Sequence, residues 1–207
     1  MALLHVRGLS VQFLTELGPA TVVDSRGAHK NGIEKFANKM VGRGVLLDVA
    51  RYKGVRFLQD GYGITVADLN ATARKEGVEV RRADFVIIRT GQMEDRLQKG
   101  EWGGYAGGNA PGLAFESLDW IHGKQIAAIC SDTWGIEVRP NDTGPEVFQP
   151  WHWVTIPAIG IVHGEIFYLK ELAEDCAADG VYEFFFCAPP LVISRGTGSP
   201  INPQAIK

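Results

Sequence analysis

Five short apolar runs punctuate the chain: "GVLLDV" (44–49), "ADFVIIRTG" (83–91), "QIAAICSD" (125–132), "WVTIPAIGIV" (153–162) and "VYEFFFCAPPLVI" (181–193). Each is rich in β-branched or aromatic residues and bounded by Gly, Pro or charge, which predicts strands. Several are apolar at consecutive positions, as expected of central strands covered on both faces. Between them the period changes to that of a helix. "TVADLNATARKEG" opens on Thr65, a good N-cap, and stops at Gly77. "AFESLDWIHGK" sets Leu118, Trp120 and Ile121 on overlapping turns, and "YLKELAEDCAADG" aligns Leu169, Leu172, Ala173 and Cys176 before Gly180. Strands alternating with helices predict an α/β domain with a mixed sheet.

Length and composition narrow this picture. The 207 residues suit one domain of moderate size, and neither a repeat nor a low-complexity linker divides them. A formal net charge of -3 and the absence of a Lys/Arg cluster exclude a nucleic-acid partner, which needs a basic surface. No apolar run approaches the roughly 20 residues that span a bilayer. The opening "MALLHVRGLSVQFLTELG" lacks the charge, apolar stretch and cleavage site of a signal peptide, so a cytoplasmic protein is expected. Cys130, Cys176 and Cys187 are too few and too irregular for a disulfide framework. Cys130 and Cys187 read as small core residues in a reducing compartment.

Chemistry concentrates in "HWVTIPAIGIVHGEIFYLKEL", which starts at His152. It carries His152, His163 and Glu165, three groups able to hold a metal ion. His163 and Glu165 are two apart, so on a strand they share a face. Spacing alone leaves a hydrogen-bonded core pair equally open. A closed metal site takes about four ligands and a catalytic one about three plus water. Thr90 and Gly91, and Ser131 and Asp132, fall at predicted strand ends, where pockets form; turn capping explains Asp132 as well. The loop "GEWGGYAGGNAPG" (100–112) lacks the Lys-Ser/Thr pair of a phosphate loop and reads as a flexible loop at a site's rim.

Further blocks carry a resemblance. "VGRGVLLDVARYKG" (41–54), "ADFVIIRTG", "APGLAFESLDWI", "AAICSDTWGIEVRP", "PWHWVTIPAIGIVHGEIFYLKEL" and "GTGSPINPQAI" (196–206) follow one another in an order that resembles the cyclase family. Those are metal-dependent hydrolases related to bacterial kynurenine formamidase and isatin hydrolase. The resemblance implies one swivelling β/β/α domain over residues 1–207. The family's N-terminal signature reads H-x-G-T-H-x-D-x-x-x-H, and here only its ending is matched, by "MALLHV", with Met1 where the Asp would stand. An N-terminally shortened member is therefore expected.

By the same resemblance His5 is the acid/base residue, and His152 and Glu165 are ligands of a divalent metal, zinc or manganese. Trp134, Trp151 and Trp153 are candidates for an aromatic substrate pocket, with core packing the competing assignment. The polar tail "RGTGSPINP" would shape the rim. The implied activity is hydrolysis of a C–N bond in a small amide, formamide or lactam by a homo-oligomer. A catalytically silent member that keeps the core and the self-association surface is the alternative, because two donors alone hold a divalent ion weakly.

Overall fold

The computed structural model describes residues 23–144 and 146–207, so His5 and the "MALLHV" stretch lie outside the described residues. Strands β1 (Val23–Asp24) and β2 (Gly27–Ala28) form a small antiparallel hairpin. The central run begins as β3 (Val41–Asp48) and passes into a short helix, α1 (Val49–Tyr52). Then come β4 (Gly63–Ile64), α2 (Val66–Glu76), β5 (Phe85–Arg89) and α3 (Gln92–Lys99). β6 (Gly112–Leu113) pairs with β4 and leads to α4 (Ser117–Lys124), β7 (Ala128–Ser131) and α5 (Pro150–Val154). The chain closes with β8 (Val162–Gly164), α6 (Lys170–Asp179), β9 (Glu183–Cys187) and β10 (Gln204–Ile206).

Six strands form one mixed sheet in the order β10-β9-β3-β5-β7-β8. β3, β5, β7 and β8 run parallel, while β9 is antiparallel to both β3 and β10. The continuous apolar runs explain this arrangement, because β5 and β7 are buried at every position. Successive side chains point to opposite faces. Val45, Leu47, Val86, Ile88 and Ile129 join one core with Leu69 of α2 and Ile121 of α4. Leu46, Phe85, Ile87, Ala128 and Cys130 join the other with Ala173 and Cys176 of α6.

Local chemistry sets the helix ends. The Thr65 hydroxyl accepts the Asp68 N–H at 3.1 Å while the Asp68 carboxylate accepts the Thr65 N–H, a reciprocal capping box. Gly77 ends α2 at φ +67°, where a Cβ would be strained. Among the described residues no helix is long and apolar enough to cross a membrane.

One predicted strand is not a strand. Residues 153–162 begin inside α5, which starts on Pro150 at a favourable first-turn position. Pro157 has no N–H to continue the helical ladder. The chain widens into a π-helical turn, Thr155–Ile159, in which Gly160 N–H donates to the Thr155 carbonyl at 2.9 Å. Strand structure starts only at Val162. The last apolar run is also shorter than expected: β9 ends at Cys187, before Pro189 and Pro190, and Leu191, Val192 and Ile193 are exposed.

Candidate functional site

β7 and β8 lie side by side and parallel, so their carboxyl ends open on the same edge of the sheet. β8 carries His163, and Glu165 stands one residue past its end. The helical turn before it brings back His152 from α5. One donor atom from each of His152, His163 and Glu165 lies within 4.8 Å of the others. The convergence expected of two residues on one strand face is present, although a helix supplies the third.

A fourth residue completes the arrangement, and sequence reasoning missed it. Glu137, with a side chain only 2% exposed, places Oε1 at 2.7 Å from His152 Nδ1. Its Oε2 accepts the Trp151 N–H at 3.1 Å. A carboxylate can only accept here, so Nδ1 carries the proton and Nε2 faces Glu165 Oε1 at 3.2 Å. A lone pair pointed at a carboxylate is repulsive unless a proton or a metal cation lies between them. Burial opposes charge on His152, but Glu137 and Glu165 outweigh it and push the ring up to about 9. Among the described residues, no lysine or arginine pairs with Glu137 or Glu165. The His152 ring is thus the one protein charge set between buried Glu137 and partly exposed Glu165 among the described residues.

His163 is set differently. Thr155 Oγ1 donates to the Trp151 carbonyl at 2.9 Å, so its lone pair takes His163 Nε2–H, also at 2.9 Å. Nδ1 of His163 is then a buried acceptor with no partner. Burial and the neighbouring His152 push this ring down to about 3, so it is a neutral donor. The two imidazoles meet edge to face with centroids 4.8 Å apart.

The donor set therefore fits a divalent cation. It offers the orphaned Nδ1 lone pair of neutral His163, the Nε2 of His152 once a cation displaces its proton, and the partly exposed Glu165 carboxylate, with Glu137 behind His152 as an outer carboxylate. Two backbone outliers flank it: Ile136, next to Glu137, has φ +55°, and Ile166, next to Glu165, has φ +64°. A β-branched residue in this region is strained, and such strain collects at functional sites.

The remaining predicted residues scatter. Trp151 is fully buried, donates from Nε1 to Ser117 Oγ at 2.9 Å and packs against His163. It is core backing for the imidazoles, which corrects its assignment to a substrate pocket. Trp153 is 62% exposed on the outside of α5, and Trp134 is half-buried with its Nε1–H on the Gly108 carbonyl. The three rings do not form one wall.

Asp132 is fully buried at the end of β7. Its Oδ1 accepts from Thr90 N and Oγ1, both at 2.8 Å, and its Oδ2 accepts from Gly91 N at 2.6 Å. Turn capping accounts for it. Burial, working against those bonds, pushes its carboxyl up to about 6. The glycine-rich loop is pinned at the same edge, where the Tyr105 hydroxyl donates to the Asp132 carbonyl at 2.7 Å. Burial raises the Tyr105 hydroxyl, with Asp132 and Glu165 adding to it.

A sequence signal for Glu137 did exist. In "WGIEVRP" a lone acid sits between Ile136 and Val138, and both of those are buried.

A search of curated proteins finds no match. The solved structure of a novel cyclase is 36% identical, with a TM-score of 0.82, over 91% of this chain and 62% of its own. The chain thus spans less than two thirds of that relative's length. Isatin hydrolase A from Ralstonia solanacearum shares the fold at 20% identity and a TM-score of 0.66, covering 89% of this chain and 67% of its own. A potential metal-dependent hydrolase with cyclase activity does so at 20% and 0.58, covering 87% and 71%. The sequence profile of the family described as "Putative cyclase" matches residues 11–138, more than half of the chain, and the protein belongs to the cyclase family.

Proposed function

We propose that this protein is a metal-dependent hydrolase that cleaves a C–N bond in a small amide, formamide or lactam. The observation that carries the reading is the Glu137–His152–Glu165 row with His163 beside it, two carboxylates that share one imidazole and, among the described residues, meet no lysine or arginine. His152, His163 and Glu165 would hold zinc or manganese. When bound, such an ion polarises a carbonyl and lowers the pKa of a coordinated water toward ~7. Glu165, with a side chain 34% exposed, is the donor assigned to the substrate side. His5 is assigned to pass a proton to the departing nitrogen, a task that suits an imidazole. The fold shared with isatin hydrolases, one solved with the product analogue thioisatinate, supports a cyclic amide as the first substrate to try. Trp134 and Trp153 are assigned to the outer pocket. The protein is assigned to the cytoplasm as a homo-oligomer.

The test is zinc and manganese titration of the chain, followed by assay on a panel of formanilides, lactams and lactones. A chain extended upstream is run in parallel. Turnover by either form supports the hydrolase reading. Turnover by the extended form alone makes the 207-residue chain the catalytically silent version, and inactivity of both rejects the assignment.

A further inference from the structure

The Glu137 carboxylate has two donors, and they differ in one respect. The Trp151 N–H on Oε2 is backbone and cannot move its proton. The His152 ring on Oε1 can, since a neutral imidazole carries its hydrogen on either nitrogen. Trp151 is locked by complete burial and by Nε1–H on Ser117 Oγ, and its ring stands edge-on to His152 at 6.0 Å. Oε2 is therefore anchored to a fixed point, and the carboxylate plane presents Oε1 to Nδ1.

We infer that Glu137 is a positioning residue that holds His152 in its Nδ1–H form and so reserves Nε2 for the cation. The inference rests on the metal-binding reading above and goes beyond it in assigning the selection of the nitrogen to a residue that touches neither metal nor substrate. Outer carboxylates of this kind orient a ligating ring and raise its basicity.

The isosteric change Glu137→Gln sharpens the argument. Glutamine has one acceptor oxygen where the carboxylate has two. The immovable Trp151 N–H claims that oxygen, which leaves the amide NH2 facing Nδ1. A donor there is satisfied only if the His152 proton moves to Nε2, where it points at Glu165 and blocks a cation. A carboxylate that merely filled space would not reverse a tautomer.

The experiment uses the full chain with 15N-labelled histidine, followed upward in pH until the spectra show that the ring has lost its second proton. Long-range 1H–15N spectra report which nitrogen bears hydrogen, and the His152 signals are identified by their loss in His152→Gln. The wild type is expected to show Nδ1–H and Glu137→Gln to show Nε2–H. Calorimetric titration with zinc chloride at pH 7.5 is expected to show roughly 10–100-fold weaker binding by the variant. A wild-type proton on Nε2, a variant that keeps Nδ1–H, or zinc affinity equal to that of a zinc-binding wild type overturns the inference. If the wild type binds no zinc, the metal reading fails while the spectra still decide the tautomer. If Glu137→Gln does not fold, the wild-type spectrum alone decides.

Discussion

The acid groups gathered at the ends of β7 and β8 are built on opposite rules. At β7, Asp132 receives three hydrogen bonds from Thr90 and Gly91, and both of its oxygens are engaged. At β8, Glu137 and Glu165 bracket one imidazole, and His163 Nδ1 has no partner. Both clusters contain perturbed groups, so perturbation by itself does not separate a structural site from a chemical one. Saturation does. Asp132 is completed by the chain's own donors and ties β5 to β7, whereas the β8 cluster lacks one positive charge that no described side chain supplies.

The largest expected effect falls on the closed cluster. Asp132→Ala orphans two backbone N–H groups and a hydroxyl in the interior, each worth about 1–3 kcal/mol, so a loss of about 4 kcal/mol is expected. Urea denaturation measures it, and a loss below about 1 kcal/mol would mean that solvent reaches these donors.

The open cluster should answer to pH and metal instead. A metal ion must displace the Nε2 proton of His152, whose ring is pushed up to about 9. Zinc affinity should fall as pH drops below that value, by up to about tenfold per unit. Metal-free stability has the opposite sign. Because the folded ring holds its proton more tightly than the unfolded one, this contribution is complete below pH ~6.5 and lost as pH rises through about 9. Calorimetry between pH 6.5 and 8.5 checks the first trend, and a flat profile would remove His152 from the ligand set.

A smaller effect separates binding from folding. Glu165 is partly solvated, so Glu165→Gln should weaken zinc about tenfold, or ~1.4 kcal/mol. Its stability in urea should shift by no more than about 0.5 kcal/mol. Equal losses in both would place Glu165 with Asp132 rather than with His152.

A last effect concerns a third carboxylate, one whose missing partner is a proton. Glu76 Oε1 accepts the Asp48 N–H at 2.9 Å, and its Oε2 has no partner. Burial, only partly offset by that hydrogen bond, pushes it up to about 8. The fold favours protonated Glu76, so stability is lost as pH rises from the ordinary glutamate value of 4.5 through about 8. Glu76→Gln should be more stable than the wild type at pH 8.5 and nearly equal to it at pH 4.5. Denaturation at both values tests this.

How much was legible follows from how local each signal is. The parallel strands were readable because consecutive apolar β-branched residues suit only a position covered on both sides. Thr65 and Gly77 were readable because a cap is settled by the residue and its nearest neighbours. Residues 153–162 were misread because an apolar run is compatible with a buried helix as well as a strand. Trp151 was ambiguous for a related reason: a large ring beside a ligand has the same identity whether it faces a hollow or the core.

The sequence by itself determined the alternating α/β order, the central strands and the presence of His152, His163 and Glu165 within one short span. Tertiary structure alone decided that Asp132 is closed and that Glu137 stands behind His152 at 2.7 Å. The reason is physical. Propensity and capping depend on neighbours in the chain, whereas a carboxylate's role depends on which donors reach its oxygens. Those donors come from other turns, fifteen residues away for Glu137 and more than forty for Asp132.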